Sequence, residues 1–301
     1  MNYLGGGTTH DAYLNWAKRH GALIQEEAIA HEARILWIGE RGTKKVILYF
    51  HGGGYLSSVQ GFQLDYVSGM LGRLRKSGKS VSIALLEYSL SNIATFPIQL
   101  KQGVAAIQYL FETGYDPSDI VLVGDSAGGN LLFQLLLHIL HPVDDVDRLE
   151  VFSEGNSAFA GAFAMSPWLG LSNTDARSWE ENKYFDIADG RGLSGLAQLY
   201  LHGVPQWAYR YVDPASSTPA TWFKGVDGIV RKVLITAGQR ECLRDDIIKV
   251  GEYMTDHHPL GTTVIVQEGG LHVDVMLDMP LNQSPPVELT DTIFKWLIEV
   301  I

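Results

Sequence analysis

Cysteine is nearly absent from this chain: Cys242 is the only one in 301 residues. No intrachain disulfide can form, and a Cys-x-x-Cys metal or redox site is excluded. Long apolar runs are missing too. The most apolar stretch, residues 131–140, is too short to cross a bilayer and reads as a buried helix. Positive charge is sparse, with 23 Lys and Arg against 34 acidic residues, a formal net charge of −11 and no long block of either sign. Phosphate backbones need clustered Lys and Arg, so nucleic acid is not expected as a partner. Residues 1–7 are polar and glycine-rich, without the charged and then apolar pattern of a signal peptide. The expectation is a soluble, cytoplasmic protein. The glycine run at 52–54 lacks the Gly-Lys-Ser/Thr ending of a nucleotide-binding P-loop. No cluster of ligating residues suggests a metal, so no cofactor is expected.

The composition is that of a globular protein, 46% hydrophobic and 19% charged, and the length allows one large α/β domain or two small ones. Short β-branched and apolar runs at 46–50, 80–87, 120–123, 161–165, 232–236 and 263–267 read as strands buried on both faces. Helical patterns fall at 11–18, 25–33, 60–74, 98–111, 130–140, 245–254 and 287–300. Strands alternating with helices predict a mostly parallel sheet flanked by helices. Residues 171–225 break the rhythm. They contain no clear strand but many aromatics, among them Trp179, Tyr184, Phe185, Tyr200, Trp207 and Tyr211. A long insertion of this kind is expected to act as a lid or binding element, with most of its aromatics packing it onto the sheet and two or three lining a pocket.

Residues 120–131, Ile-Val-Leu-Val-Gly-Asp-Ser-Ala-Gly-Gly-Asn-Leu, read as strand, tight turn and helix start. That is the context a G-x-S-x-G nucleophile elbow requires, with Gly124 and Gly128 leaving room around Ser126. The helix start turns its unpaired N–H groups toward the serine oxygen. Directly after the first strong strand comes His51-Gly52-Gly53-Gly54-Tyr55. Acyl transfer builds negative charge on a carbonyl oxygen, and a glycine loop can turn backbone amides toward it. His51 precedes that loop and is expected to brace it. In this fold the order along the chain is serine, acid, histidine. His257 and His258 sit between a helix and a strand beside Pro259, whereas His272 follows the last strand and its loop, so His272 is the expected base. The acid should follow the strand at 232–236. Glu241 comes first there; Asp245 is the second choice, because it and Asp246 open a helix and suit its N-terminus.

Together these motifs resemble the hormone-sensitive-lipase-like esterases, the HGGG branch of the α/β-hydrolases. The similarity runs from about residue 46 to the end. It extends to Glu87-Tyr88-Ser89-Leu90 with Phe96-Pro97, to Ser166-Pro167-Trp168, and to Cys242-Leu243-Arg244-Asp245. The resemblance implies a single α/β-hydrolase domain over 1–301, with cap elements at about 1–38 and 171–225. It implies Ser126 as nucleophile, His272 as base and then acid, and the amides of Gly53, Gly54 and Ala127 as the oxyanion hole. Small to medium acyl esters are the expected substrates, and the aromatic-rich insertion points to a bulky or natural-product alcohol. Amide, arylformamide or carbon–carbon chemistry is the alternative on the same fold, and a non-catalytic binding protein is the alternative from another class. Two departures stand out: the family's usual acid is Asp where this chain has Glu241, and the N-terminal arm is short. The short arm leaves room for a cap completed by a second copy in a homodimer.

Overall fold

The computed structural model describes residues 7–152, 157–172, 174–188, 190–277 and 288–301. The chain opens with α1 (Thr9–His20), β1 (Glu26–Ala28), β2 (Arg34–Ile38), β3 (Lys45–Phe50), α2 (Gly61–Lys76) and β4 (Val81–Glu87). It continues through α3 (Ile98–Glu112), β5 (Ile120–Asp125), α4 (Ala127–Leu140) and β6 (Gly161–Met165). Four short helices follow: α5 (Arg177–Asn182), α6 (Gly190–Leu201), α7 (Tyr209–Val212) and α8 (Pro214–Ser217). Then come β7 (Val233–Gly238), α9 (Arg244–His257), β8 (Thr262–Gln267) and α10 (Glu288–Val300).

The eight strands form one sheet in the order β1-β2-β4-β3-β5-β6-β7-β8. The first two pairings are antiparallel and the others parallel. Side chains alternate across a strand, so each central strand feeds two cores. In β3, Val46, Leu48 and Phe50 join the core under α3, α4 and α9. Ile47 and Tyr49 join the one under α1, α2 and α10. This two-sided burial explains why the strands read as continuous apolar runs. Helix α4 is buried at every residue from Ala127 to His138, including the polar Asn130, Gln134 and His138 among its apolar residues. No helix among the described residues is long and apolar enough to cross a membrane.

The expected helix at 25–33 is not formed. Those residues make β1 and a turn in which His31 and Glu32 take φ of 60° and 59°. The run at 34–38 pairs antiparallel with β4, and the local helical pattern yields to that non-local pairing. Residues 26–28 and 34–38 therefore extend the sheet and do not belong to a cap. Helix α1 packs in the core with α2, where Tyr13 donates a hydrogen bond to Trp37 O at 2.8 Å.

The insertion at 171–225 is helical, with no strand among its described residues. Tyr200 and Phe223 are completely buried, and Trp179 and Tyr211 nearly so, whereas Tyr184, Phe185 and Trp207 are exposed. Its start is pinned by Asp213, whose carboxylate accepts from Leu171 N (2.7 Å) and from the backbone and hydroxyl of Ser172. Nearby, Asp246 lies buried against Gly170, where a Cβ would overlap Oδ2. Burial, with the like charge of Asp213, pushes the Asp246 carboxyl up from 3.8 to about 6. A carboxyl raised on folding binds its proton more tightly in the native state. Its contribution is therefore most favourable at low pH and is lost as pH rises through about 6. Asp246→Asn should gain stability over wild type by about 1–3 kcal/mol above pH 7, and the gain should shrink toward zero near pH 4. Urea unfolding across that range checks this; a difference independent of pH contradicts it.

Candidate active site

Five loops meet at the carboxyl ends of the parallel strands, where open α/β sheets bind ligands. Register brings them together. Phe50 of β3 lies opposite Gly124 of β5, and Asp125 opposite Met165 of β6. Gly238 of β7 lies opposite Gln267 of β8.

Strand β5 turns into α4 through Ser126 alone, whose backbone sits at φ 51° and ψ −117°. This strained conformation is held by hydrogen bonds from Ser126 N to Met165 O (2.9 Å) and from Trp168 N to Ser126 O (2.9 Å). A Cβ on Gly128 would overlap Phe50 O, and one on Gly124 would overlap Gly128 O. Those two positions accept no side chain.

The glycine loop crosses beside the elbow: a Cβ on Gly52 would come within 3.0 Å of Ser126 Cβ. Gly53 and Gly54 take φ of 122° and 61°, where side chains are strained. Gly52 N donates to Asp125 Oδ1 at 2.9 Å, and Tyr49 OH (2.6 Å) and Gln63 Nε2 (2.9 Å) also donate to that carboxylate. Burial raises the Asp125 carboxyl even against these donors. His51 is completely buried, and burial pushes its imidazole down to about 4, so it is neutral. Its Nδ1 lies 2.7 Å from Gly52 O and must donate, leaving Nε2 to accept from Thr9 Oγ1 at 3.0 Å. Thr9 Oγ1 in turn accepts from Val59 N. Tyr88 stacks on the His51 ring at 4.5 Å and donates to His51 O at 2.6 Å. His51 thus braces the loop, with the first residue of α1 behind it. Ala127 is the first residue of α4, where an N–H has no acceptor within the helix.

Ser126 Oγ lies 3.0 Å from His272 Nε2. On the other side of the ring, Nδ1 faces Glu241 Oε2 at 3.7 Å. That separation is too long for a hydrogen bond but within reach of a charge pair once the imidazole is protonated, and such contacts often tighten only when substrate binds. Glu241 is completely buried; Ser166 Oγ donates to the same Oε2 at 2.7 Å. Burial raises the Glu241 carboxyl. Burial also works against an imidazolium at His272, but the nearby carboxylate of Glu241, followed by the charges of Asp186 and Asp125, outweighs it and raises the imidazole.

The alternatives are placed elsewhere. His258 Nε2 lies 3.1 Å from Arg231 O. Asp245 accepts from Ser178 N and Arg244 Nε, which fastens α5 to α9. The sequence motifs pointed to Ser126, Glu241, His272 and the glycine loop; they did not point to Thr9 or Asp186, and Ser166 stood in the Ser-Pro-Trp pattern without a role. Asp125 stood in the elbow motif, but nothing marked its carboxylate as the tie to Gly52. Among the insertion's aromatics, Trp179 and Tyr184 line an open cleft of about 1080 Å³ with Arg177, Glu180 and Lys183.

A serine on a strand-to-helix elbow, a histidine and a carboxylate on later loops, and a glycine loop beside them form the arrangement of an α/β-hydrolase active site. A family model described as an alpha/beta hydrolase fold matches residues 47–275, and the chain belongs to that family. Among curated proteins it is similar to an acetyl-hydrolase of Streptomyces hygroscopicus, 27% identical over 68% of this chain and 60% of that protein. Steryl acetyl hydrolase 1 of Saccharomyces cerevisiae is 27% identical over 80% of this chain and 57% of its own length. The chain thus spans about 60% of the length of the curated relatives it matches. An esterase structure from the bacterial hormone-sensitive lipase family superposes with a TM-score of 0.73 at 23% identity, covering 98% of this chain and 92% of that one. That likeness is one of fold.

A base works only when neutral, and the His272 imidazole is held above its usual 6.5. The rate of a reaction it assists should therefore fall as pH drops through a value above 6.5. Glu241→Gln removes the largest opposing influence, so that acid limb should move down and kcat fall by about 10³–10⁴-fold. A pH profile of kcat/KM for both proteins measures this; a wild-type limb at or below 6.5 contradicts it.

Proposed function

We propose that the protein is a serine carboxylic-ester hydrolase working through an acyl-enzyme. The observation that carries the reading is the contact of Ser126 Oγ with His272 Nε2 at 3.0 Å, in line with buried Glu241. Ser126 Oγ attacks the ester carbonyl while His272 takes the hydroxyl proton. The amides of Gly53, Gly54 and Ala127 hold the resulting oxyanion. Its collapse breaks the bond to the alcohol oxygen, which leaves with the proton from His272. Water then attacks the acyl-serine, His272 takes its proton and returns it to Ser126, and the carboxylic acid departs. Glu241 keeps the imidazole in the productive tautomer and faces the positive charge that forms on it. Each step uses groups of this chain and water, with no metal or cofactor in the scheme.

The names of several relatives point to acetyl groups: an acetyl-hydrolase, a steryl acetyl hydrolase and a versiconal hemiacetal acetate esterase. They support a short acyl group on a bulky alcohol as the substrate class. Exposed Tyr184, Phe185 and Ile187 flank Asp186, which itself bonds the backbone of His272. This strip offers an apolar surface next to the site for such an alcohol. The close serine–histidine contact favours catalysis over a binding role without chemistry.

Hydrolysis of p-nitrophenyl acetate should exceed that of longer acyl esters. Ser126→Ala should lower the rate by about 10⁴-fold or more. Turnover by the folded variant equal to wild type would sink the assignment; a preference for long acyl chains would sink the acetyl-ester reading alone.

A further inference from the structure

The turn after α5 carries a buried carboxylate that the chemistry above does not use. Asp186 is only 8% exposed, although Tyr184, Phe185 and Ile187 around it are 85%, 60% and 67% exposed. Its Oδ2 accepts from Cys242 N at 2.7 Å, and its Oδ1 accepts from His272 N at 3.2 Å. Cys242 follows Glu241, so one side chain of the insertion bonds the loop of the acid and the loop of the base at once. Two further bonds fasten the same segment to the acid loop: Ser178 Oγ donates to Cys242 O (2.7 Å), and Asn182 Nδ2 donates to Glu241 O (3.0 Å). Of these three side chains, Asp186 is the one that also reaches His272. A carboxylate taken out of water is costly unless its oxygens are satisfied, and here two main-chain amides satisfy it.

We propose that Asp186 is a positioning residue for the base, spanning the two loops so that Glu241 and His272 keep their alignment and the imidazolium formed in the reaction gains a second nearby carboxylate. This rests on the reading of Ser126, Glu241 and His272 as the reacting set. It makes the insertion part of the chemistry, because the apolar strip 184–187 and the clamp share one turn of chain. The charged and titratable groups facing His272 come from four places. Three of them act on the imidazole, Glu241 after β7, Asp186 in the insertion and Asp125 on β5; the fourth, Asp274 in the histidine's own loop, accepts from Leu271 N at 3.0 Å. Arg240, next to Glu241 in the chain, is turned over the Phe185 ring at 5.7 Å.

Inactivation of Ser126 by a fluorophosphonate, followed as a rate against pH, reads the state of His272 without knowledge of the ester substrate. Asp186→Asn keeps the size of the side chain but loses the charge and one acceptor. Its plateau rate should fall about tenfold, and its acid limb should move to lower pH by about half a unit. With p-nitrophenyl acetate the loss should appear in kcat, with KM within about threefold of wild type. A folded Asp186→Asn protein with the wild-type plateau and limb overturns the proposal. So does a loss that only tracks the folded fraction while the limb stays put, which would leave Asp186 a structural clasp. If Asp186→Asn does not fold, Asp186→Glu decides, since it keeps the charge but displaces it. A plateau reduced per folded molecule, with an unmoved limb, supports the proposal, and a wild-type plateau per folded molecule overturns it. Wild-type protein that the reagent does not label at all defeats the reading of the triad itself, a different result from labelled wild type with an indifferent variant.

Discussion

The backbone of Ser126 turns from β5 into α4 with no residue to spare, at φ 51° and ψ −117°. Everything near the reacting oxygen follows from keeping that turn. The turn leaves no room at 124 and 128, where a Cβ would strike backbone atoms. It also brings the 51–55 loop against the serine, which is why Gly52 too must lack a side chain. The strain is sustained because the elbow is tied on several sides, by Met165 O, by Trp168 N and by the Asp125 carboxylate reaching Gly52 N. A local conformation that costs on the order of 1–3 kcal/mol persists only where its surroundings over-determine it.

The insertion is bonded to the catalytic loops at two ends. At one end, α6 places Leu196 against Gly54, and Tyr200 stacks on Tyr55 at 3.9 Å. Gln134 Nε2 donates to both tyrosine hydroxyls and to Asn130 Oδ1, so the stack sits on a buried polar network rooted in α4. At the other end, α5 and the turn after it hold the acid loop through Ser178, Asn182 and Asp186. The insertion thus contacts both the glycine loop and the acid loop through side chains of its own.

Buried carboxylates mark where stability gives way to function. Asp125 and Asp213 are each fully provided with donors and act as fasteners. Among the described residues nothing hydrogen-bonds Oε1 of Glu241 or Oδ2 of Asp246. An apolar residue would suit either position better if stability were the only demand. At Glu241 the justification is the imidazole beside it. At Asp246 nothing in the reaction requires the charge.

The sequence was enough for the α/β-hydrolase class and the parallel sheet, and its motifs picked out the elbow serine, the glycine loop, His272 and Glu241, which the fold brings together. These are local signals: apolar runs of strand length, glycines where a side chain cannot fit, and a fixed chain order of reacting groups. What lay beyond it depends on contacts between distant residues. Residues 25–33 carry a helical pattern, yet they form β1 and a turn because the run at 34–38 pairs with β4. Thr9 stands more than forty residues from the His51 it supports, and no spacing announces that contact. Asp186 is an acidic residue among exposed aromatics and reads as surface. Only the folded chain, by laying the insertion over the loops after β7 and β8, buries it against the amides of Cys242 and His272. Residue types and local spacing determined what chemistry is on offer; tertiary packing decided which side chains hold it in line, because a hydrogen bond depends on distance in space and leaves no period along the chain.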